Sequence, residues 1–529
     1  MLKSYIYLER KEKMFCRVHS GAIHGIEGIQ IEVEVDLSDG LPSLNMVGML
    51  SAEIKESSER VRTALKNSKF TIPPKRITIN LSPANIRKQG TLYDLPIAVG
   101  ILTSMGYIKK ENLEQVFIVG ELSLDGKVNP IKGVLPLVYA ARQAEISCCI
   151  VPKKNAKEGA AVDQIRVIGV NSLLEVLTVL KNPEAFQGEE GVCFDGEKMQ
   201  SVSEEVDFSE VSGQEALKRA AQIAAAGMHN LLMMGAPGSG KTMIARRIPT
   251  ILPPMTWEES IELTKIYSVA GLLSDKNPLV VKRPFRAPHH TISASSLAGG
   301  GTIPKPGEVS LSNYGVLFLD ELPEFSKTVL EVLRQPMEDR KILVSRVHGS
   351  YEFPTNFMLV AAMNCCGCGY YPDRNRCNCK ETQVARYLGR ISRPLLDRID
   401  ICMEVSSIEY TDIRGQKKKK FSKGEDSKTM RERVMRAREV QRIRYQGEKI
   451  NTNSELSASQ IQCYCKIDTA GEVLLEQAFA RLKLTARGYN RILKVARTIA
   501  DLDGEEQITR RHLSEAICYR STNIQEWRR

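Results

Sequence analysis

The sequence has few aromatic residues and no long hydrophobic run. Phe, Trp and Tyr make up only 6% of its 529 residues, and no apolar stretch approaches the roughly 20 residues that a membrane-spanning helix needs. The amino-terminal segment MLKSYIYLERKEKMF is too charged for a signal peptide, because its apolar run stops at Leu8. We therefore expect a cytoplasmic protein with no membrane partner.

Acidic residues are fewer than basic residues, but only moderately so. Lys and Arg total 74 against 63 Asp and Glu, which gives a net charge of +11. This excess permits a nucleic-acid partner without requiring one, because ordinary solvated surface gives the same sum. A composition that is 42% hydrophobic and 26% charged excludes wholesale disorder. The length predicts about three domains.

The thirteen cysteines are an odd number, and they do not show the spacing of a secreted disulfide framework. Most are expected to be free thiols in a reducing compartment. Four form a cluster, C-x-C, eight residues and C-x-C, which suits a structural Zn²⁺ site with four thiolate ligands. Those four are Cys366, Cys368, Cys377 and Cys379. Clustered free thiols are the alternative, and Cys365 could replace one of the ligands.

Composition also divides the chain into segments. Residues 14–183 alternate short β-branched runs with helical patterns, which predicts a compact α+β domain. An acidic linker, 184–206, follows it. Residues 207–410 alternate helices with very apolar strands, as in an α/β fold whose parallel sheet is covered on both faces. A basic linker, 411–428, precedes a mostly helical segment, 429–529.

An apolar strand followed by G-x-x-x-x-G-K-T predicts a site for the phosphates of ATP. The glycines allow backbone N–H groups to turn towards the phosphates at the start of the next helix. Lys241 is expected to reach the β- and γ-phosphates, and the Thr242 hydroxyl to bind Mg²⁺. A glycine-rich turn with a surface lysine is the alternative. The predicted nucleotide-binding residues are Gly235, Ala236, Pro237, Gly238, Ser239, Gly240, Lys241 and Thr242.

Two later strands end in polar residues that complete this prediction. GVLFLDEL places Asp320 and Glu321 at a strand end, where Asp320 would hold Mg²⁺ and Glu321 would polarise the attacking water. The acids could instead favour the amino terminus of the helix near Ser326. NFMLVAAMN ends in Asn364, which could orient the water, sense the γ-phosphate or simply form a turn. The paired motifs predict an ATPase.

The motifs RPFRAPHHTIS, PGEVSLSNYGVLFLDELPEF, LRQPMEDRKILVSR and PLLDRID resemble those of the magnesium-chelatase-like AAA+ ATPases, and within them the ComM/YifB branch. The resemblance starts at Met14, which suggests an alternative start of the protein. It implies a P-loop AAA+ core with a helical lid and a homo-hexameric ring.

The resemblance also implies roles for two arginines. Arg398 falls at the position of the arginine finger, which reaches the γ-phosphate in a neighbouring subunit. An ion pair with Asp397 or Asp400 is the alternative. Arg487 falls at the sensor-2 position on the lid, and Arg491, one turn further on, competes for that position or forms a structural ion pair.

Residues 14–183 resemble the Lon-protease-type domain, which has the ribosomal S5 domain 2-like fold. Lon-type proteolysis needs a serine nucleophile and a lysine base. Asp94 and Leu135 stand at the approximate places of these residues. The resemblance therefore implies a domain without the protease dyad, acting as a scaffold or a DNA-contacting module.

ATPases of this class insert loops into their core that grip a strand in the central channel of the ring. The segment Phe285–Gly301 and the hairpin Lys341–Phe353 correspond to such insertions, although the histidines could instead pack at a subunit interface. The candidate contacts to single-stranded or branched DNA are Arg286, His289, His290, Arg346 and His348. The function implied is a DNA helicase or translocase that promotes branch migration in recombination or natural transformation. A protein remodeller and a magnesium-chelatase motor subunit are the alternatives.

Overall fold

The computed structural model describes residues 14–191, 206–301, 304–346, 349–405, 425–482 and 484–520. His348, most of the linker 184–206 and most of the basic linker 411–428 lie outside these residues. Within the described ranges, no helix is long and apolar enough to cross a membrane.

The strands, in chain order, are β1 (Phe15–His24), β2 (Glu27–Ser38), β3 (Ser43–Val47), β4 (Arg76–Ser82), β5 (Val116–Ile118), β6 (Glu121–Leu122), β7 (Val128–Asn129), β8 (Cys148–Pro152), β9 (Arg166–Val170), β10 (Leu231–Gly235), β11 (Phe285–Arg286), β12 (Gly299–Gly300), β13 (Lys305–Pro306), β14 (Val316–Leu319), β15 (Lys341–Arg346), β16 (Gly349–Pro354), β17 (Met358–Met363) and β18 (Ile401–Val405).

The α-helices are α1 (Ala52–Asn67), α2 (Asp94–Ser104), α3 (Val134–Gln143), α4 (Ala156–Gly159), α5 (Leu173–Lys181), α6 (Glu215–Gly227), α7 (Lys241–Ile251), α8 (Trp257–Ala270), α9 (Ala294–Ala298), α10 (Glu308–Leu311), α11 (Lys327–Val332), α12 (Arg334–Asp339), α13 (Glu381–Leu388), α14 (Arg393–Leu396), α15 (Ser427–Arg444), α16 (Ala458–Tyr464), α17 (Thr469–Leu482), α18 (Ala486–Asp503) and α19 (Arg510–Cys518).

The chain folds into two compact units. The described part of the first contains residues up to 191, together with 257–280 and most of 345–352, and the remaining described residues form the second. A seven-stranded sheet, ordered β3-β4-β2-β1-β5-β8-β9, is the centre of the first unit. Its strand pairs are both antiparallel and parallel, and α2, which is buried along its whole length, packs against β1 and β2.

Helix α8 belongs to the first unit because its polar side chains find partners there. The Ser268 hydroxyl donates to the buried carboxylate of Glu158 at 2.5 Å, and Glu158 also accepts the backbone N–H of Leu135 at the start of α3. One turn earlier on the same side of the helix, Lys265 pairs with Glu27 at 2.8 Å. Helix α8 therefore belongs to the first unit, although the chain segments before and after it belong to the second.

The second unit contains a five-stranded sheet ordered β11-β14-β17-β10-β18, in which all described pairs are parallel. Strands β10, β14 and β17 are buried on both faces, as their continuous apolar sequences predict. Helices α6, α7, α15 and α18 share one hydrophobic core with this sheet. Because parallel strands end at the same edge, the residues after β10, β14 and β17 are brought together.

Candidate nucleotide-binding site

The phosphate loop connects the buried strand β10 to α7, which begins at Lys241. Gly238 and Gly240 have left-handed backbones, with φ of +76° and +85°, a conformation that favours glycine. A Cβ atom added at either position would meet no atom within 4 Å. The loop is therefore an open cradle of backbone at the amino terminus of a helix, where an anion binds readily.

Lys241 bridges the loop to a neighbouring strand. Its Nζ donates to the carbonyl oxygens of Gly235 and Ala236, each at 2.8 Å, and lies 3.4 Å from Oδ1 of Asn364. Burial lowers the pKa of Lys241, while the nearby carboxylate of Asp320 opposes that shift. The structure thus brings Asn364 and Asp320 to the same lysine, as the strand-end prediction requires.

The two acids after β14 have separate partners. Asp320 Oδ2 accepts the hydroxyl of Thr242 at 2.9 Å, and Asp320 Oδ1 accepts the backbone N–H of Glu321 at 2.9 Å. Glu321 has a left-handed backbone with φ of +52°, an uncommon conformation for a residue other than glycine. The helix that follows is capped by Ser326, whose hydroxyl accepts from the backbone N–H of Val329, so the acids are not needed as its cap.

These residues fit a nucleoside triphosphate with Mg²⁺. The open glycine cradle offers backbone N–H donors, Lys241 offers a cation, and the Thr242–Asp320 pair offers the oxygen ligands that Mg²⁺ prefers.

The four predicted cysteine ligands form a compact group. Their Sγ atoms all lie within 4.8 Å of one another, and the Cys366 Sγ is 3.3 Å from that of Cys368 and 3.7 Å from that of Cys377. Tetrahedral zinc thiolates place sulfurs about 3.8 Å apart, so this donor set fits Zn²⁺. Cys365 is outside the group, and burial raises its pKa to about 12, which keeps it a thiol.

The cysteine loop packs against the phosphate loop. A Cβ atom at Gly369 would lie 2.5 Å from Cδ of Pro237, and the Gly369 backbone is left-handed with φ of +90°. Only glycine fits at position 369, because any larger side chain would clash with the ring of Pro237. The two loops are therefore in van der Waals contact at this point.

Arg398 and Arg487 both contact Glu338, a residue that sequence reasoning did not single out. Arg398 has a side chain only 6% exposed, and its Nη2 lies 2.7 Å from one carboxylate oxygen of Glu338. Arg487 is 61% exposed, and its Nη2 lies 3.8 Å from the other oxygen. The partner of Arg398 is therefore Glu338 rather than Asp397 or Asp400. The only sequence signal for Glu338 is its place in the motif PMEDRK.

Arg491 forms a structural ion pair, which was the alternative to its sensor-2 interpretation. Its guanidinium pairs with the buried Asp400 and donates to the backbone carbonyl of Arg398 at 2.8 Å. Burial raises the pKa of Asp400, but Arg491 and His229 outweigh it and hold that pKa well below its ordinary value. These contacts link α18 to the start of β18.

The candidate DNA contacts differ in their partners and in their exposure to solvent. Arg286 forms a two-pronged ion pair with Glu308, with N···O distances of 2.6 and 2.7 Å. His289 is exposed, and its Nδ1 lies 3.0 Å from the hydroxyl of Thr291. His290 points to the ATPase site, with Nδ1 3.6 Å from Oε2 of Glu321. Arg346 is exposed at the end of β15.

In the first unit, Asp94 and Leu135, at the approximate places of the Lon-type catalytic residues, are buried. Asp94 has no exposed surface; it accepts from Nε of Arg60 at 2.8 Å and from the hydroxyl of Ser57. Burial raises the pKa of Asp94, and these hydrogen bonds oppose the shift. Leu135 is buried at the start of α3. The absence of a protease dyad from this domain stays a prediction.

Three family models match the chain: "Magnesium chelatase, subunit ChlI" over residues 207–413, "Subunit ChlI of Mg-chelatase" over 33–155, and "Magnesium chelatase, subunit ChlI C-terminal" over 424–520. With the phosphate loop on its parallel sheet, these matches define a magnesium-chelatase-like protein and support an AAA+ ATPase.

Full-length relatives narrow the class. Competence protein ComM of Haemophilus influenzae is 42% identical over 505 residues, which cover 95% of this chain and 97% of that protein. The uncharacterized protein YifB of Salmonella typhimurium is 40% identical over 504 residues, 95% of this chain and 96% of that protein. Lon protease 2 of Bacillus subtilis is 31% identical over 175 residues, 30% of this chain and 31% of that protein. The chain belongs to the ComM/YifB family of magnesium-chelatase-like proteins.

Proposed function

We propose that this protein is an ATP-hydrolysing motor that works as a homo-hexamer on single-stranded or branched DNA in the cytoplasm, and promotes branch migration during recombination or natural transformation. The observation that carries the ATPase part is the convergence of Lys241, Thr242, Asp320 and Asn364 at one sheet edge. The DNA part is supported by the net charge of +11 and by the relative whose name is competence protein.

The contacts support a hydrolytic role for each of these residues. Lys241 would exchange the carbonyl oxygens of Gly235 and Ala236 for phosphate oxygens. Thr242 and Asp320 would hold Mg²⁺, which would neutralise phosphate charge. Glu321 accepts a proton from water as the water oxygen bonds to the γ-phosphorus and the bond to ADP breaks. Asn364 orients that water or senses the γ-phosphate.

The remaining groups act from the subunit interface and the lid. Arg398 is the proposed finger and Arg487 the proposed sensor 2, carried by the helical lid 429–529. The Glu338 carboxylate contacts both arginines. For either arginine to act on a nucleotide in the assembled ring, it has to exchange Glu338 for phosphate oxygens. A buried guanidinium then stays paired with negative charge throughout, which limits the cost of the exchange.

The cysteine group is the proposed structural Zn²⁺ site. The metal would stiffen the loop that follows Asn364 and contacts Pro237. All four ligand positions are then filled by protein, which is typical of structural rather than catalytic zinc.

Protein remodelling is the second candidate, and the Lon-type domain favours it. With Asp94 and Leu135 in place of a nucleophile and a base, that domain could present polypeptides to the motor without cleaving them.

The two candidates differ in what stimulates ATP turnover. We expect single-stranded and forked DNA to raise the steady-state ATPase rate, and this stimulation to fade steeply with salt because phosphate contacts release counterions. The Lys241→Ala variant, which lacks the phosphate-binding cation, is the control for contaminating ATPases. Stimulation by an unfolded protein, with none by DNA at low salt, would replace the DNA proposal with remodelling.

A further inference from the structure

The first unit contains an open cleft of about 570 Å³. Three segments form its walls: the connection from β7 to α3, the turn that leads into α4, and the end of α8 with the turn that follows it. Three lysines, Lys132, Lys154 and Lys276, line this cleft, one from each segment.

Two buried side chains join the walls of the cleft at its base. The Asn155 amide accepts the backbone N–H of Ile131 and donates to its carbonyl oxygen, each at 3.0 Å. The same amide donates to Glu158 at 3.0 Å, and Glu158 accepts the hydroxyl of Ser268 at 2.5 Å. Asn155 and Glu158 are only 9% and 6% exposed. The shape of the cleft therefore rests on buried hydrogen bonds and not on its exposed lysines.

The three lysines leave the cleft with positive charge. All three are exposed, and within the described residues no carboxylate lies within 4.0 Å of Lys132, Lys154 or Lys276. Lys153, the neighbour of Lys154 in the chain, is instead paired with Glu189. Three cations without such partners around one opening attract an anion.

The position of Lys132 depends on a glycine in the opposite wall. Gly271 has a left-handed backbone with φ of +75°, and a Cβ atom there would lie 2.6 Å from Cε of Lys132. Because Gly271 has no side chain, the stem of Lys132 lies across the turn that follows α8. A lysine that is already held in this way loses less side-chain entropy when it binds an anion.

Two acids also line the cleft, in different surroundings. Glu158 lies at the base, where burial raises its pKa and hydrogen bonds from Leu135, Asn155 and Ser268 occupy its oxygens. Asp275 is exposed. The exposed lysines thus outnumber the exposed acid, and Asp275 offers a variant that should change binding in the opposite direction.

We propose that this cleft binds the phosphate backbone of DNA, as a contact additional to the insertions of the ATPase core. The inference rests on the proposed function. Lysine ammonium groups bind phosphates as point charges. Among the described residues no aromatic side chain lines the cleft, so bases have no ring there to stack on. The contact is therefore with the backbone and independent of base sequence.

The test measures binding of a fluorescein-labelled oligo-dT strand by anisotropy over a salt series, with a non-hydrolysable ATP analogue present. The triple variant Lys132→Ala/Lys154→Ala/Lys276→Ala should bind about tenfold more weakly or worse at low salt. The slope of log affinity against log salt should become shallower by about two, because each single-strand phosphate contact contributes about 0.7. The DNA concentration for half-maximal ATPase stimulation should rise in proportion.

Two further variants make the result specific. Lys55→Ala/Lys66→Ala/Lys109→Ala removes the same charge from exposed positions elsewhere in the first unit and should keep the wild-type salt slope. Asp275→Asn should tighten binding several-fold, an effect that damage to the fold would not produce. Melting temperatures establish that all variants are folded.

The outcomes separate the cleft from the proposed function. If the wild type binds DNA and the Lys132/Lys154/Lys276 variant keeps its affinity and salt slope, the cleft proposal is overturned and the DNA motor stands. An equal loss in the control triple variant also overturns the cleft. A wild type that binds no DNA at low salt overturns both proposals. Displacement of DNA by millimolar inorganic phosphate at constant ionic strength would assign the cleft to a free anion and overturn the backbone contact.

Discussion

The Asp94 cluster of the first unit and the Asp320 cluster of the second use the same chemistry for different ends. In each, an aspartate accepts a hydrogen bond from a hydroxyl group, from Ser57 in one case and from Thr242 in the other. Asp94 is fully buried and closed off by Arg60, whereas Asp320 lies beside an open glycine loop. The comparison teaches that burial decides the role of a hydroxyl–aspartate pair. A buried pair stabilises the fold, whereas a pair at an open loop is available to bind a ligand.

Removing Arg398, the proposed arginine finger, should have the largest effect on ATP turnover. Arg398→Ala is expected to lower ATP turnover by about 10³-fold, the lower end of the range for arginine fingers, with nucleotide affinity nearly unchanged. The measurements are steady-state turnover and equilibrium binding of a fluorescent ATP analogue. Arg390→Ala, which loses an exposed pair with Glu324, is the control.

A mixing experiment tests whether Arg398 acts across subunits. Arg398→Ala chains keep an intact phosphate loop, and Lys241→Ala chains keep an intact finger, so a mixture should recover part of the turnover. No recovery in mixtures that demonstrably form joint rings would place the action of Arg398 within its own chain.

Loss of the proposed general base, Glu321, beside Asp320 should have the second largest effect. Glu321→Gln should lower turnover by about 100-fold or more, because glutamine cannot accept the proton of water, yet ATP should still bind. Single-turnover hydrolysis and filter binding measure the two properties, and Glu324→Gln is the matched control. Turnover at the wild-type rate in Glu321→Gln would assign the base role to another group.

Breaking the sealed cluster should change stability instead of chemistry. Asp94→Ala leaves the Arg60 charge and the Ser57 hydroxyl without their shared acceptor, and we expect the free energy of unfolding to fall by about 3 kcal/mol. Urea unfolding checks this, and ATP turnover per folded molecule should be unchanged. Asp125→Ala, which removes a surface pair with Lys127, should have little effect. Unchanged stability in Asp94→Ala would contradict the contrast between the clusters.

The cysteine loop should give the smallest effect on turnover. We expect about one zinc ion per chain by metal analysis, and loss of that zinc in Cys366→Ser. The melting temperature should fall by a few degrees and turnover only several-fold, because the loop packs against Pro237 and supplies none of the predicted phosphate ligands. Cys463→Ser, at an exposed cysteine, is the control. Full zinc content in Cys366→Ser would exclude that residue as a ligand.

The sequence predicted the parts of the site that follow from local pattern. Continuous apolar runs marked β10, β14 and β17, and their polar ends had to meet because parallel strands finish at one edge. Side-chain partners far apart in the chain left no such signal. The contacts of Glu338 with Arg398 and of His290 with Glu321 depend on tertiary packing between segments that are distant in the chain. Helix α8 likewise joins the first unit through Glu158 and Glu27.

The shared carboxylate of Glu338 makes the two arginines thermodynamically linked. When Arg398 leaves for a phosphate, Glu338 keeps Arg487 as its remaining partner of the two and binds it more tightly. By reciprocity, whatever draws Arg487 away strengthens the hold on Arg398 by the same coupling free energy. Two arginines that compete for one anion are therefore released one after the other, the first more easily than the second, so the proposed roles of Arg398 and Arg487 would engage a nucleotide in two separate steps.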